Sequence, residues 1–446
     1  MNPRLLIVLG AAAAGLRIAE PALAKDADVQ TLTLEQAHEM ALSNHPTIAA
    51  ADYRALAANE VSKQSRSGLL PQVSLYGSAV QADSANTRIL AGGLNNPSVL
   101  SRTAIGTGIS QLITDFGRTA NLAASSRLQA SAESQDAQAA RAQVLLQLDR
   151  AYFGVLQAQA LNSVAQQTVA TRQLLFDRIS TLAQNKLKSD LDVSFARVGL
   201  EDARLLLQNA QNDLDASMAS LSTALGLSED RRYNLIEPVL PTVATQGDEE
   251  ALVARALHGR PELASLRDQR DAAERLARSL RDARLPTISA VVAAGDAPSH
   301  DARLPGSYSA GGIQISVPVF AGGLYRARQH EAELRARVAG ESLRTAKDDI
   351  ARDVRITWLN LSNARQRVRT TEDLSRYAAD AYTLADARYR VGSSSIVELS
   401  QAQLQLTSAQ IDATNARYEV LIQESALDYE TGGLPAAAEP SDRPPD

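Results

Sequence analysis

The sequence predicts a mainly α-helical chain with a small β part, built as two tandem copies of one unit and closed only by association with further copies. Three observations lead there. Between its prolines the chain is rich in Ala, Leu, Gln, Arg and Glu, while aromatics make up only 4%, a bias toward long helices rather than a thick globular core. Landmarks of the first half recur in the second at fixed separations. Short segments in each half alternate apolar and polar residues, the period of a strand with two unlike faces.

The N-terminus reads as an export signal: Arg4, an apolar stretch from Leu5 to Leu16, then Ala22-Leu23-Ala24 as a small-x-small cleavage site. Residues 1–24 are expected to be removed, although Arg17 and Glu20 interrupt the run. Their loss reduces 45 basic and 51 acidic residues to 43 and 50, a net charge of −7, which is no nucleic-acid surface. The chain has no cysteine, which excludes disulfides, thiolate metal sites and a cysteine nucleophile, and predicts a protein without a lipid-anchored cysteine. No later stretch offers the ~20 predominantly apolar residues of a transmembrane helix. Only a closed barrel would then cross a bilayer.

Each copy has the same order. The spacing predicts a short helix (about 34–44 and 249–258) and a longer one (about 47–68 and 262–283) that stops before a proline. Pro46 and Pro261 lie 215 residues apart, as do Pro71 and Pro286. Strands are expected at about 72–82 and 102–113 in the first copy and 287–295 and 307–319 in the second. Turn residues between them (Gly92 to Pro97, and Gly295-Asp296-Ala297-Pro298) predict loops. Past the strands the separation becomes 206, matching Ser110 to Ser316 and Tyr152 to Trp358.

Two proline-free helical hairpins follow, at 117–227 and 321–432, each with helices of about 65 and about 35 residues broken near Lys186–Asp190 and near Gly392–Ser395. Val193, Ala196, Leu200, Ala203, Leu207, Ala210 and Leu214 step by three and four, as a coiled-coil seam does. Leu399, Ala402, Leu406, Ala409, Ala413, Ala416 and Val420 repeat that phase, and two copies of one unit must share a seam. The first repeat is thus placed at 25–227, a linker at 228–248, the second repeat at 249–434 and a disordered Pro- and charge-rich tail at 435–446.

Four strands per chain leave two open edges, and smooth exposed edges invite aggregation. Two chains would give too narrow a barrel, whereas three give twelve strands and a wider lumen. The small-residue seams suit helices packed side by side into a hollow cylinder.

The duplicated helix–strand–strand–helix plan, Leu-Pro before the first strand of each pair, Ser316-Val317-Pro318-Val319-Phe320-Ala321-Gly322-Gly323 after the second, and Tyr389-Arg390-Val391-Gly392-Ser393-Ser394-Ser395-Ile396-Val397-Glu398 at the helix turn resemble the TolC-like family of outer-membrane efflux channels. The resemblance covers about residues 30–434. It implies a homotrimer in which a twelve-helix α-barrel, four long coiled helices per chain, continues a twelve-stranded antiparallel transmembrane β-barrel. It also implies a location in the bacterial outer membrane extending into the periplasm, contact with outer-membrane lipid, and partnership with a periplasmic adaptor and an inner-membrane pump of RND or ABC type. No cofactor, metal or catalysis is implied.

The resemblance places a gate at the second turn. It maps an acidic constriction ring onto Glu398 and Gln401, of which only the first is acidic, and a bridge onto Ser394 and Asp192, where the arginine is missing and Arg390 is the candidate substitute. Tyr389 belongs to the same turn. Val391, Gly392 and Ser393 resemble the adaptor-docking groove, and Lys186 and Leu187 are their first-half counterparts. By themselves Glu398 and Asp192 are ordinary helix-start carboxylates, and Gly392 a turn glycine. Phe116 and Phe320 read as interfacial aromatics or as packing.

Other classes fit less well. The outer-membrane component of type I protein secretion is the near alternative. A periplasmic helical adaptor would carry one hairpin rather than two. An enzyme is disfavoured: His38-Glu39 lacks the second histidine of a zinc-protease helix, Gly106-Thr107-Gly108 lacks the third glycine of a dinucleotide loop, and neither a GxSxG elbow nor a phosphate loop occurs.

Overall fold

The structure, a computed structural model, describes residues 31–81, 101–227, 233–238, 248–300, 302 and 305–434. The expected signal segment 1–24, the loop 92–97, most of the linker and the tail 435–446 lie outside the described residues.

The first copy begins with β1 (Thr31–Leu32), α1 (Leu34–Asn44) and α2 (Pro46–Ser67), followed by β2 (Gln72–Val80), β3 (Arg102–Thr114), α3 (Arg118–Gln184) and α4 (Asp190–Ala224), and β4 (Asn234–Leu235) lies in the segment between the copies. The second holds α5 (Glu249–Gly259), α6 (Pro261–Asp282), β5 (Thr287–His300), β6 (Ser307–Ser316), α7 (Leu324–Arg390) and α8 (Ile396–Glu430). Helix lengths repeat without exception: 11 and 11 residues for α1 and α5, 22 and 22 for α2 and α6, 67 and 67 for α3 and α7, 35 and 35 for α4 and α8. The duplication read from the sequence is therefore a duplication of structure.

Local chemistry sets these boundaries. Thr33 caps α1 through a reciprocal box with Gln36. Pro46 and Pro261 open α2 and α6 at the position where a missing N–H costs nothing. At ~1.5 Å per residue α3 and α7 each run ~100 Å. The shorter helices match that length only by stacking. Gly226 ends α4 at φ +74°, and a Cβ there would lie 2.8 Å from the His45 Cα at the start of α2. Gly432 ends α8 at φ +72°, with the Gly259 carbonyl carbon 3.2 Å from where its Cβ would be. A side chain at Gly226 would force the backbones apart, and one at Gly432 would be both strained and tight.

The α4–α2 and α8–α6 pairs thus form composite columns. Since α3 packs on α2, α4, α6 and α8, and α7 on α6 and α8, the order across the protomer is α2/α4, α3, α6/α8, α7. The seam residues Ala196, Leu200, Ala203 and Ala210 on α4, and Leu399, Ala402, Ala409, Ala416 and Val420 on α8, are buried. One large cluster at mid-height gathers Leu148, Tyr152, Val155, Leu221 and Leu225 with Leu32 and Leu235 of the parallel β1–β4 pair.

The second sheet is antiparallel, in the order β2-β3-β5-β6. Two strand ends differ from expectation. β5 does not turn at Gly295 but runs to His300, pairing Ser299 with Thr103 and His300 with Arg102. The irregularity between Thr103 and Ile105 absorbs Pro298, which has no N–H for a ladder. β6 stops at Ser316, short of Val319, since Pro318 cannot continue the pairing. Val73, Leu75, Ile105, Ile109, Val292, Ile313 and Ile315 are exposed on one face of the sheet. Among the described residues no helix is long and apolar enough to cross a membrane.

Candidate functional site

The candidate gate lies at the end of the helical body remote from the sheet, where α3 turns into α4 and α7 into α8. Both turns share a frame. Each long helix ends with one left-handed residue, Lys186 at φ +61° and Gly392 at φ +77°. Each closes through a backbone bond five residues back: Leu187 N–H to the Leu182 carbonyl at 2.9 Å, and Ser393 N–H to the Arg388 carbonyl at 2.9 Å. Each following helix is capped by serine: Ser189 accepts from the Asp192 N–H and Ser395 from the Glu398 N–H, both at 3.2 Å.

Beyond that frame the turns diverge. Asp192 folds back onto its own cap, its Oδ2 accepting from the Ser189 N–H at 3.0 Å and the Ser189 hydroxyl at 2.8 Å. Glu398, at the equivalent position, accepts from Arg388 Nη1 at 2.7 Å. Arg388 also reaches the Ser393 carbonyl, tying the last turn of α7 to the first of α8. The first copy has Leu182 where the second has Arg388.

Arg390 does not replace the missing bridge to Asp192 within the protomer. It pairs with Asp386 on its own helix, and that carboxylate also receives Arg178 from α3 at 3.6 Å. Ser394 is half-buried and its hydroxyl donates to the neighbouring Ser395 carbonyl. Gln401 is exposed.

The two hairpins meet instead at Tyr389, which is buried and sits in an apolar cluster with Leu175, Ile179, Ala196, Ile396 and Leu399. Lys188 Nζ lies 3.9 Å from the centre of its ring, a cation–π contact between the hairpins. Burial pushes the Tyr389 phenol up to about 12, with the Asp192 carboxylate adding to the rise. Its hydroxyl finds no partner among the described residues. The turn tips remain open: Leu187 is 69% and Val391 76% exposed, with Ser393 and Lys186 beside them on the same surfaces.

Sequence reading singled out Glu398, Asp192 and Tyr389 but missed Arg388, Asp386, Arg178 and Lys188. Arg388 lies ten residues from Glu398 across a turn, a spacing no helix pattern marks. Among the described residues no group of carboxylates, histidines and cysteines is arranged to hold a metal ion.

A row of long helices capped by an open four-stranded sheet, with two paired turns at the far end, defines the protomer of an outer-membrane channel. A model of the outer membrane efflux protein family matches residues 37–227 and 252–433, one match per copy, and the chain belongs to that family.

Among its relatives, outer membrane protein TolC of Escherichia coli K12 is 23% identical over 424 residues, spanning 91% of this chain and 83% of its own. The toluene efflux pump outer membrane protein TtgC of Pseudomonas putida is 24% identical over 381 residues, spanning 82% and 76%. Among solved structures, the Campylobacter jejuni CmeC outer membrane channel superposes with a TM-score of 0.80 at 17% identity over 94% of both chains. The outer membrane protein VceC of Vibrio cholerae gives 0.79 at 18% identity, over 90% of this chain and 96% of that one.

Proposed function

We propose that three copies of this chain close into one tube that conducts cargo passively across the outer membrane and periplasm, performing no catalysis, with energy supplied by an inner-membrane pump reached through a periplasmic adaptor. The carrying observation is the pair of unmatched edges. β2 and β6 end the sheet with free ladders, and exposed ladders require partners. The helical row is open in the same sense: α7 exposes Val338, Leu359, Leu374 and Leu384, and the α2/α4 column Tyr53, Leu56, Val198 and Leu205. Head-to-tail pairing of such unlike edges generates a closed ring when the rotation closes. Three copies give the smallest barrel with a usable lumen.

In this reading the exposed apolar sheet face meets lipid. Glu398, with Asp192 and Tyr389 behind it, surrounds the inner constriction, Arg390, Ser394 and Gln401 line its approach, and the tips Val391–Gly392–Ser393 and Lys186–Leu187 dock the adaptor. The relatives, an efflux pump outer membrane protein among them, support export as the task. Detergent-purified protein should run as a trimer and form pores in planar bilayers. A monomer that forms none overturns the proposal.

A further inference from the structure

We propose that Tyr76 and Tyr308 form an aromatic girdle on the inner face of the barrel that binds organic cations passing through it. The pairing register sets Tyr76 opposite Gly106, Gly106 opposite Gly295 and Gly295 opposite Tyr308. These four residues make one row across all four strands and share a face. Ser74, Ser78, Ser110 and Gln314 lie on that face, whereas Leu75, Ile109, Val292 and Ile313 lie on the other. In a membrane barrel the apolar face meets lipid, so the tyrosine row looks into the lumen.

The glycines make the row possible. A Cβ on Gly106 would lie 2.1 Å from the Tyr308 hydroxyl oxygen, and one on Gly295 2.6 Å from the same atom. The Tyr308 side chain therefore lies down over β5 and reaches β3. On the other side of the row, a Cβ on Gly108 would lie 2.6 Å from Tyr76 Cε2. Both rings rest on bare backbone, yet in the single protomer Tyr76 is 59% and Tyr308 41% exposed, so each leaves π surface open on the face that looks into the bore. That surface attracts cations, and quaternary ammonium groups most characteristically.

The inference rests on the proposed closure: Tyr76 is on edge strand β2 and Tyr308 on edge strand β6, so joining the edges of adjacent copies brings their tyrosines onto neighbouring strands and repeats the pair around the tube.

Single-channel current in planar bilayers, with tetraethylammonium added on the barrel side, tests it. Wild type should show concentration-dependent block. The double variant Tyr76→Leu with Tyr308→Leu should form pores of similar conductance whose block is weaker by about fivefold or more. The double variant Tyr76→Phe with Tyr308→Phe should keep the block, because phenylalanine retains the π face. Unblocked wild-type pores, equal block in the leucine variant, or loss of block in the phenylalanine variant would each overturn the girdle while leaving the tube standing. A chain that forms no pores removes the tube and the girdle together.

Discussion

The Arg388 guanidinium holds the Glu398 carboxylate at 2.7 Å across the α7–α8 turn. Both side chains are about half exposed, at 57% and 44%, so the pair contributes less than about 1 kcal/mol to stability. Its effect is on charge: the carboxylate we propose for the constriction is paired with a cation of its own protomer. Arg388→Ala should therefore leave folding nearly unchanged and strengthen block of the pore by multivalent cations, while Glu398→Gln should abolish that block. Conductance recorded with and without a trivalent cation checks both. Equal block in the wild type and both variants would remove Glu398 from the narrow part of the bore.

The left-handed residues of the two turns differ in chemistry. Lys186 occupies with a side chain a conformation that Gly392 occupies without one. Lys186→Gly should be neutral or stabilising, by up to about 1 kcal/mol, whereas Gly392→Ala should cost about 1 kcal/mol. Heat-induced dissociation of the detergent-solubilised protein, compared across the two variants, reads the difference. A stabilising Gly392→Ala would contradict the turn geometry.

At mid-height, the buried Tyr152 hydroxyl lies 2.8 Å from the Leu32 carbonyl and 2.7 Å from that of Ile236. It holds the β1–β4 pair on α3. Tyr152→Phe removes one donor from the Ile236 carbonyl and one of two from the Leu32 carbonyl, which keeps the Ile236 N–H at 3.1 Å, and should cost about 1 kcal/mol, seen as faster proteolysis within residues 31–38. Protection equal to wild type would show that the pair is held by packing alone.

Alkaline titration should single out the buried phenols. Tyr389 is pushed up to about 12 by burial and by Asp192, and Tyr418 up to about 12 by burial and by Glu237. An unfolded tyrosine ionises near ~10. Between those values the folded-state phenols hold protons that the unfolded ones have lost, so their contribution to stability is level below ~10 and falls as pH rises toward 12. Tyr389→Phe should flatten part of that fall. Because the Tyr389 hydroxyl has no partner among the described residues, the variant should also lose no stability at neutral pH. A clear loss there would show that the hydroxyl is bonded.

The duplication was legible because tandem copies must bury the same seam. The seam positions Ala196, Ala203 and Ala210 of α4 stand 206 residues before Ala402, Ala409 and Ala416 of α8, and all six are buried. The reach of β5 was not legible. Gly295, Asp296 and Pro298 carry turn chemistry, and only the neighbouring strands, through an irregularity in their register, make an extended path past them. The tip followed the same division. Ser189, Ser395 and the carboxylates three residues on are local capping patterns that sequence displays. The grip of Lys188 on Tyr389 depends on how two hairpins lie side by side, which no local spacing records.

The same contrast appears for Phe116, which sits at φ +58° where the second copy has Gly322 at φ +57°. The buried Asp115 carboxylate supports it by accepting from the Gly117 and Thr119 N–H groups. Nothing in the residue type announces that conformation, which is uncommon for a bulky side chain.

The glycine joints at Gly226 and Gly432 divide the wall unequally. Two of the four uprights in each protomer are single rods from membrane to tip, and two are jointed halfway. A rod splayed at its foot carries the displacement upward along its whole length. A jointed one pivots at its knuckle and leaves the half above at rest. Any widening of the lower mouth that engages α4 and α8 first would thus be absorbed at mid-height, and the collar seated in lipid would keep its diameter while the foot moves.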